Sequence, residues 1–225
     1  MVDVKREEEL REWLAGNPKE WARAIATRSA LRILPLGMDG DYIAQNPTLP
    51  IAIFRATAVA WLALNSPALD ARDAATAADE AAEAAAELFP EAEVARSVAN
   101  SAADAAFGYS FDSGNAGSRS AFWAADAAAY FNAEAAIWAQ ISADREWLDS
   151  ERDQKSAARR LGNRPLWKGP RPEWLDDSWL MARSNLIAMD ANYRFWIDWY
   201  ERRVIGERSS FEIPGDTRRK EDKQV

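Results

Sequence analysis

Large apolar positions from Leu175 onward recur in alternating steps of four and three: Leu175, Trp179, Ala182, Leu186, Met189, Tyr193, Trp196 and Tyr200. Residues three and four apart stand above one another on an α-helix, so these steps keep a single face in register. They predict one long helix, or two in line with a bend near Asp190, presenting a seam to the bundle or to a second copy of the protein. Upstream, Trp123, Tyr130, Ile137 and Ile141, spaced by 7, 7 and 4 with Phe122, Phe131 and Trp138 beside them, predict a helix carrying one broad aromatic stripe. Residues 50 to 65 are apolar on nearly every side apart from Arg55 and Thr57, the pattern of a helix surrounded by others and the candidate for the most buried one.

Polar and turn-forming residues punctuate these runs. Residues 4 to 15 read as a short helix with Leu10, Trp13 and Leu14 inward, ended at Gly16. Asn17, Pro18 and Glu20 have the order of an N-cap, a first-turn proline and a capping box, opening a second helix whose Trp21, Ile25 and Leu31 face inward until Leu34 and Pro35. Residues 36 to 50, 108 to 118 and 162 to 172 read as connections dense in Gly, Pro, Asn and Asp. Helices fill the intervals: one to Phe89, a restart at Pro90 running to Phe107, and one opened by Ser142 and Glu146 and reaching Leu161. No period-two pattern occurs, so the fold class is all-α, a single bundle of about seven to eight helices over residues 1–206. The tail 207–225 has no apolar periodicity and is expected to be disordered.

Composition tightens this picture. Alanine accounts for 46 of 225 residues, and 30 of them fall between Ala68 and Ala143. Alanine has the best helix propensity and lets neighbouring backbones approach closely, so the central helices should pack at the short end of the usual separations. Eleven tryptophans supply the large buried areas that alanine lacks. The absence of cysteine removes disulfides, thiolate nucleophiles and cysteine-rich zinc sites, and the absence of histidine removes the commonest general base and metal ligand. A net charge of −8 argues against a surface that coats nucleic acid or an anionic membrane as a whole. The N-terminus lacks a signal-peptide core, and the stretch from Ile51 to Leu64 is too short for a bilayer and carries Arg55, so a cytoplasmic protein with no membrane contact is expected.

Several constellations carry potential chemistry. Asp73, Asp79, Glu80, Glu83 and Glu87, with Asp104 and Asp126, have the spacing of carboxylates that hold magnesium in all-helical hydrolases, or of a solvated helix face. Lys155, Arg159, Arg160, Arg164, Lys168 and Arg171, with Trp167 and Trp174, form an acid-free basic segment suited to phosphate contact and base stacking, or to a helix C-terminus followed by a proline-rich loop. Asp198 stands among aromatics with Arg194 and Arg202 four residues either side, as a titrating acid or an outward-facing ion pair. Tyr109 and Phe111 sit in a glycine-rich loop suited to a partner contact. No catalytic set, metal-ligand set or cofactor-binding motif emerges.

The segments EWARAIATRSALRILPL, AAIWAQISADREWLD, PLWKGPRPEWLDDSW and FWIDWYERRVIGE, in that order, resemble a family of uncharacterised alanine-rich proteins common in alphaproteobacterial genomes. The resemblance extends from about residue 10 to residue 206 and implies a bacterial source, with no activity or site to carry over. The expected function is a non-catalytic helical protein–protein interaction module, an adaptor, assembly subunit or regulator. Its partner is another protein or a second copy, and its contacts are the seam of Leu175, Trp179, Leu186, Tyr193, Trp196 and Tyr200 or the loop of Tyr109 and Phe111. The alternatives are a nucleic-acid or nucleotide-binding protein using Arg159, Arg160, Arg164, Lys168 and Trp167, and a magnesium-dependent hydrolase using the acidic ladder.

Overall fold

A computed structural model describes residues 4–38, 40–65, 93–107 and 113–207, with the single positions 76 and 80. Among these residues the chain forms ten α-helices and no strand: α1 (Val4–Ala15), α2 (Lys19–Ile33), α3 (Gly40–Gln45), α4 (Leu49–Asn65), α5 (Glu93–Phe107), α6 (Ser113–Ala129), α7 (Glu134–Ser150), α8 (Gln154–Gly162), α9 (Glu173–Met189) and α10 (Tyr193–Val204). The helices expected between residues 66 and 92, the loop of Tyr109 and Phe111, and the tail beyond residue 207 lie outside the described residues.

Helix α2 is the axis of the bundle, touching α1, α4, α5, α6, α7, α8 and α10. Twelve of its fifteen residues are buried, a larger share than the 12 of 17 in α4, so among the described residues the most buried helix is α2 and not the more apolar α4. Burial follows from what each side of α2 offers. Ala22, Ala26 and Ala30 leave α5 and α6 room to approach closely, and Arg28 and Arg32 on another side find charged and polar partners.

The close approach is recorded in small residues. Ser120 Oγ donates within reach of both Ala26 O (3.0 Å) and Ser101 O (2.9 Å), while Ser101 Oγ donates to Ser120 O (2.9 Å). These hydroxyls stitch α2, α5 and α6 together through backbone carbonyls, which large side chains would hold apart. Gly117 marks the close approach of α6 to α1 and α2: a Cβ there would lie 2.9 Å from Leu14 Cδ1 and 3.0 Å from Ala22 O.

Several expectations need correction. The aromatic stripe does not run along one helix. The chain reverses at residues 130–133, with Asn132 in the left-handed region at φ 53°, and separates α6 from α7. Alanines Ala121, Ala124, Ala125 and Ala128 face the core of α6, while Tyr130 and Phe131 are exposed and Phe122 and Trp123 half-buried. High helix propensity fills both segments but does not mark where one stops. Residues 36–50 are not one loop: Leu34–Met38 form a buried 3₁₀ turn and α3 follows, because a buried backbone must satisfy its own hydrogen bonds. Asn17 does not cap α2; Pro18 holds that position, and Asn17 Nδ2 instead donates to Trp13 O (2.8 Å), closing α1. The helix expected to reach Leu161 is two, α7 and α8, with Asp153 capping α8 by accepting from Ser156 N.

The seam expected between Leu175 and Tyr200 is present as α9 and α10, broken at residues 190–192. Leu175, Trp179, Leu186, Tyr193 and Tyr200 are buried, and Trp196 is half-buried with its ring stacked on Phe54 at 5.6 Å. Of the two destinations the pattern left open, the seam is taken up by the bundle: α9 packs on the 3₁₀ turn, α3 and α10. Among the described residues no helix is long and apolar enough to cross a membrane.

The packing at Gly117 predicts that Gly117→Val lowers stability by about 1–3 kcal/mol. Gly169→Ala, where no atom lies within 4 Å, should leave it unchanged. Urea unfolding of the two variants checks this, and equal midpoints would show that α6 does not approach α1 and α2 so closely.

Candidate functional site

Three buried charged side chains come together where the irregular crossing of residues 163–172 passes over α2 and α7. Arg28 and Arg32 are one turn apart on α2 and point the same way. Both reach a single carboxylate on α7: Arg28 Nε donates to Asp144 Oδ2 at 2.9 Å and Arg32 Nη2 to the same oxygen at 2.6 Å. All three residues are buried, at 3 %, 0 % and 5 % exposure for Arg28, Arg32 and Asp144. Two cations on one anion leave a surplus positive charge, which a dry interior tolerates only with further hydrogen bonds.

Backbone carbonyls supply them. Arg28 Nη1 donates to Leu161 O (2.9 Å) and Arg164 O (3.0 Å), and Nη2 donates to Pro165 O (2.7 Å) and Leu166 O (3.3 Å). With the Nε bond to Asp144, all five guanidinium donors of Arg28 are engaged. Arg32 Nε donates to Leu166 O (2.9 Å), and its guanidinium carbon lies 5.9 Å from the Trp167 ring centre. Burial, reinforced by neighbouring Arg28 and opposed by Asp144, pushes the Arg32 guanidinium down to about 10, so it remains charged at neutral pH. The crossing is fixed further by Leu166 N donating to Val204 O (3.0 Å) and Lys168 N to Gln140 Oε1 (3.0 Å). Gly206, at φ 73°, closes α10 against Arg164 and Pro165, where no Cβ would fit.

Two cavities flank this crossing and share Pro165 and Trp167. On the α7 side a hollow of about 410 Å³ is lined by Arg28, Asp144, Glu146, Trp147, Arg164 and Lys168 among others. On the α10 side a more open cleft of about 900 Å³ is lined by Arg171, Asp176, Asp198, Glu201 and Arg202 among others. In that cleft Arg171 pairs with Asp176, and Glu201 accepts from Trp179 Nε1 (3.2 Å) and pairs with Arg183 (3.1 Å). Asp198 is exposed, as an outer-face residue should be, but among the described residues it makes no ion pair with Arg194 or Arg202. Burial also pushes the Tyr200 hydroxyl well above its ordinary range.

The basic segment divides. Arg164, Lys168 and Trp167 converge on the hollow, with the Arg164 guanidinium 4.8 Å from the Trp147 ring centre. Arg160 does not join them, because it pairs with Glu151 and with Asp153 (3.3 Å) at the start of its own helix. Arg159 is exposed and does not line the hollow, and the side chain of Lys155 lies outside the described residues. Trp174 stacks on Phe131 at 6.0 Å. Of the acidic ladder, Asp73, Asp79, Glu83 and Glu87 lie outside the described residues and Glu80 is exposed. Asp104 pairs with Arg119 (2.9 Å), and Asp126 accepts from Ser97 Oγ (2.7 Å). Among the described residues no three carboxylates gather as metal ligands.

Sequence reasoning missed Arg28, Arg32 and Asp144. The signal was available in part: Arg28 and Arg32 stand four apart in ATRSALRILPL, a stretch without a single acid to pair them locally. Cations so placed must find distant partners or face solvent. Asp144, one acid among several on α7, carried no comparable mark.

Comparison with protein-family models, with curated proteins and with solved structures finds no match to this chain.

Removing the shared carboxylate should be costly. Asp144→Asn leaves two buried guanidiniums on a neutral amide, and the expected loss is about 3–5 kcal/mol in urea unfolding. Asp126→Asn, which weakens one half-buried hydrogen bond, should cost only about 1 kcal/mol. Similar small losses in both would mean that the arginines do not depend on Asp144.

Proposed function

We propose that this chain is a non-catalytic helical interaction module that pairs with a second copy of itself through the outer face of α9. The observation that carries the reading is a helix apolar on two opposite sides. Leu175, Trp179, Ala182 and Leu186 fill the core, while Leu180 and Met181 are 59 % and 62 % exposed, and Ile187, Ala188 and Ala191 are exposed beyond them. Leu180, Ser184 and Ile187 recur at helical spacing with Ala188 beside them, so they form one stripe and not scattered contacts. A soluble surface helix ordinarily carries charge there.

Charge placement favours a copy running antiparallel. The N-terminal end of α9 exposes Glu173 and Asp177, and beyond its C-terminal end Arg194 is exposed. An antiparallel pair sets Glu173 and Asp177 of each copy toward the end of the other where Arg194 offsets the exposed Asp190, whereas a parallel pair sets acid beside acid. The small Ser184 and Ala188 in the C-terminal half of α9 allow close helix contact. A bacterial source belongs to the same proposal and rests on the sequence resemblance alone.

Light scattering after size exclusion tests this. The chain should elute at twice its mass, falling toward the monomer on dilution. Leu180→Glu combined with Ile187→Glu should give a monomer whose melting temperature stays within a few degrees of the dilute parent, because both side chains are exposed. A parent that is monomeric at every concentration refutes the pairing.

A further inference from the structure

The hollow on the α7 side of the crossing has a chemistry that the pairing of α9 does not use. Its walls carry three cations, Arg28, Arg164 and Lys168, against two carboxylates, Asp144 and Glu146, with Arg32 bonded to Asp144 from behind. Asp144 is therefore more than neutralised, and the region holds a surplus of positive charge on a chain whose net charge is −8. Arg28 has no donor left to offer. Among the described residues, neither Arg164 nor Lys168 enters an ion pair, although Asp144 and Glu146 share the wall.

Both free cations rise from backbone that is already fixed. The Arg164 carbonyl is held by Arg28, and the Lys168 N–H by Gln140. The Arg164 guanidinium lies over Trp147, so one face is covered and its N–H edge is left for an acceptor. Trp167, in the same wall, contributes its indole ring. Leu161, Pro165 and the indoles supply an apolar lining. A volume of about 410 Å³ falls in the range of small-ligand sites and offers one half-open seat, with Glu146 in its wall, where a nucleic-acid strand would need a continuous basic track.

We infer that this hollow binds a small organic anion, a phosphate monoester or a carboxylate carried on a planar ring. Arg164 and Lys168 hold the anionic end by charge-assisted hydrogen bonds, and the ring packs against the apolar lining. Because the Arg164 guanidinium is already held over Trp147 and both backbones are fixed, binding orders little beyond the Lys168 side chain.

Titration calorimetry of the full chain, with phenyl phosphate, benzoate and inorganic phosphate as separate probes, decides the matter. At least one ring-bearing probe should bind one per chain, about tenfold or more tighter than inorganic phosphate. Which of the two binds tells a phosphate site from a carboxylate site. Arg164→Gln and Lys168→Gln should each weaken that binding about tenfold or more, and Arg159→Gln, outside the hollow, should not. Both substituted side chains are exposed, so circular dichroism melts should match the parent. No saturable binding of either ring probe up to about 10 mM overturns the inference, and so does binding that survives either substitution. Because none of these residues lies on α9, failure here leaves the self-pairing untouched, and a monomeric protein leaves this test intact.

Discussion

Two guanidiniums buried on one carboxylate set a constraint that the surrounding fold has to meet. The Coulomb attraction of Asp144 does not offset the desolvation of both Arg28 and Arg32, so the remaining donors need oxygens. Helix interiors cannot supply them, because their carbonyls are already bonded within the helix, and only Leu161 O in the last turn of α8 contributes one. A stretch of non-helical chain can. The crossing from residue 163 to residue 172 presents its carbonyls inward to Arg28 and Arg32, and would itself bury unpaired carbonyls were those arginines absent. Arginine pair and irregular segment satisfy one another, which explains why a proline-rich connection passes over the middle of a helical bundle in a defined conformation.

The second constraint is steric and lies on another side of the same helix. Alanine, serine and glycine bring α2, α5 and α6 so close that Ser120 reaches carbonyls of two neighbours. Dense packing of small residues gives many short contacts but little hydrophobic area per residue. The tryptophans and leucines of α7, α9 and α10 fill the rest of the core around it. Helix α2 thus joins two kinds of stability, close backbone packing on one flank and, on the other, an ion cluster in which every Arg28 donor is engaged and Arg32 Nη1 alone is left without a partner. The cavities sit beside the ion cluster because a crossing pinned at its carbonyls cannot also fill the space on either side with its own side chains.

Helix content was legible from alanine runs and three-four spacing, and α1, α4, α9 and α10 fall close to where the pattern of apolar residues places them. The turn at Asn132 was not legible, because Ala133, Ala135 and Ala136 favour helix as strongly as the alanines before it; tertiary packing decides where such a run reverses. The seam from Leu175 to Tyr200 was visible, but its pattern is the same whether it meets the chain's own core or another molecule. At the crossing, the three residues that converge on the hollow were singled out by charge and aromatic content. The residues that pin the crossing were not, since Arg28 and Arg32 need a partner 112 to 138 positions away and no local pattern encodes that distance.

The dependence of the crossing on the arginine cluster is most directly measured by native-state hydrogen exchange in Arg28→Lys, which keeps the charge and loses the five-donor fork. The amides of Leu166 and Lys168, bonded to Val204 and Gln140, should exchange about tenfold or more faster than in the parent, while helical amides around Ser101 and Ser120 keep their protection. Unchanged protection at Leu166 and Lys168, or an equal loss across α5 and α6, would contradict the idea that this cluster holds the crossing in place.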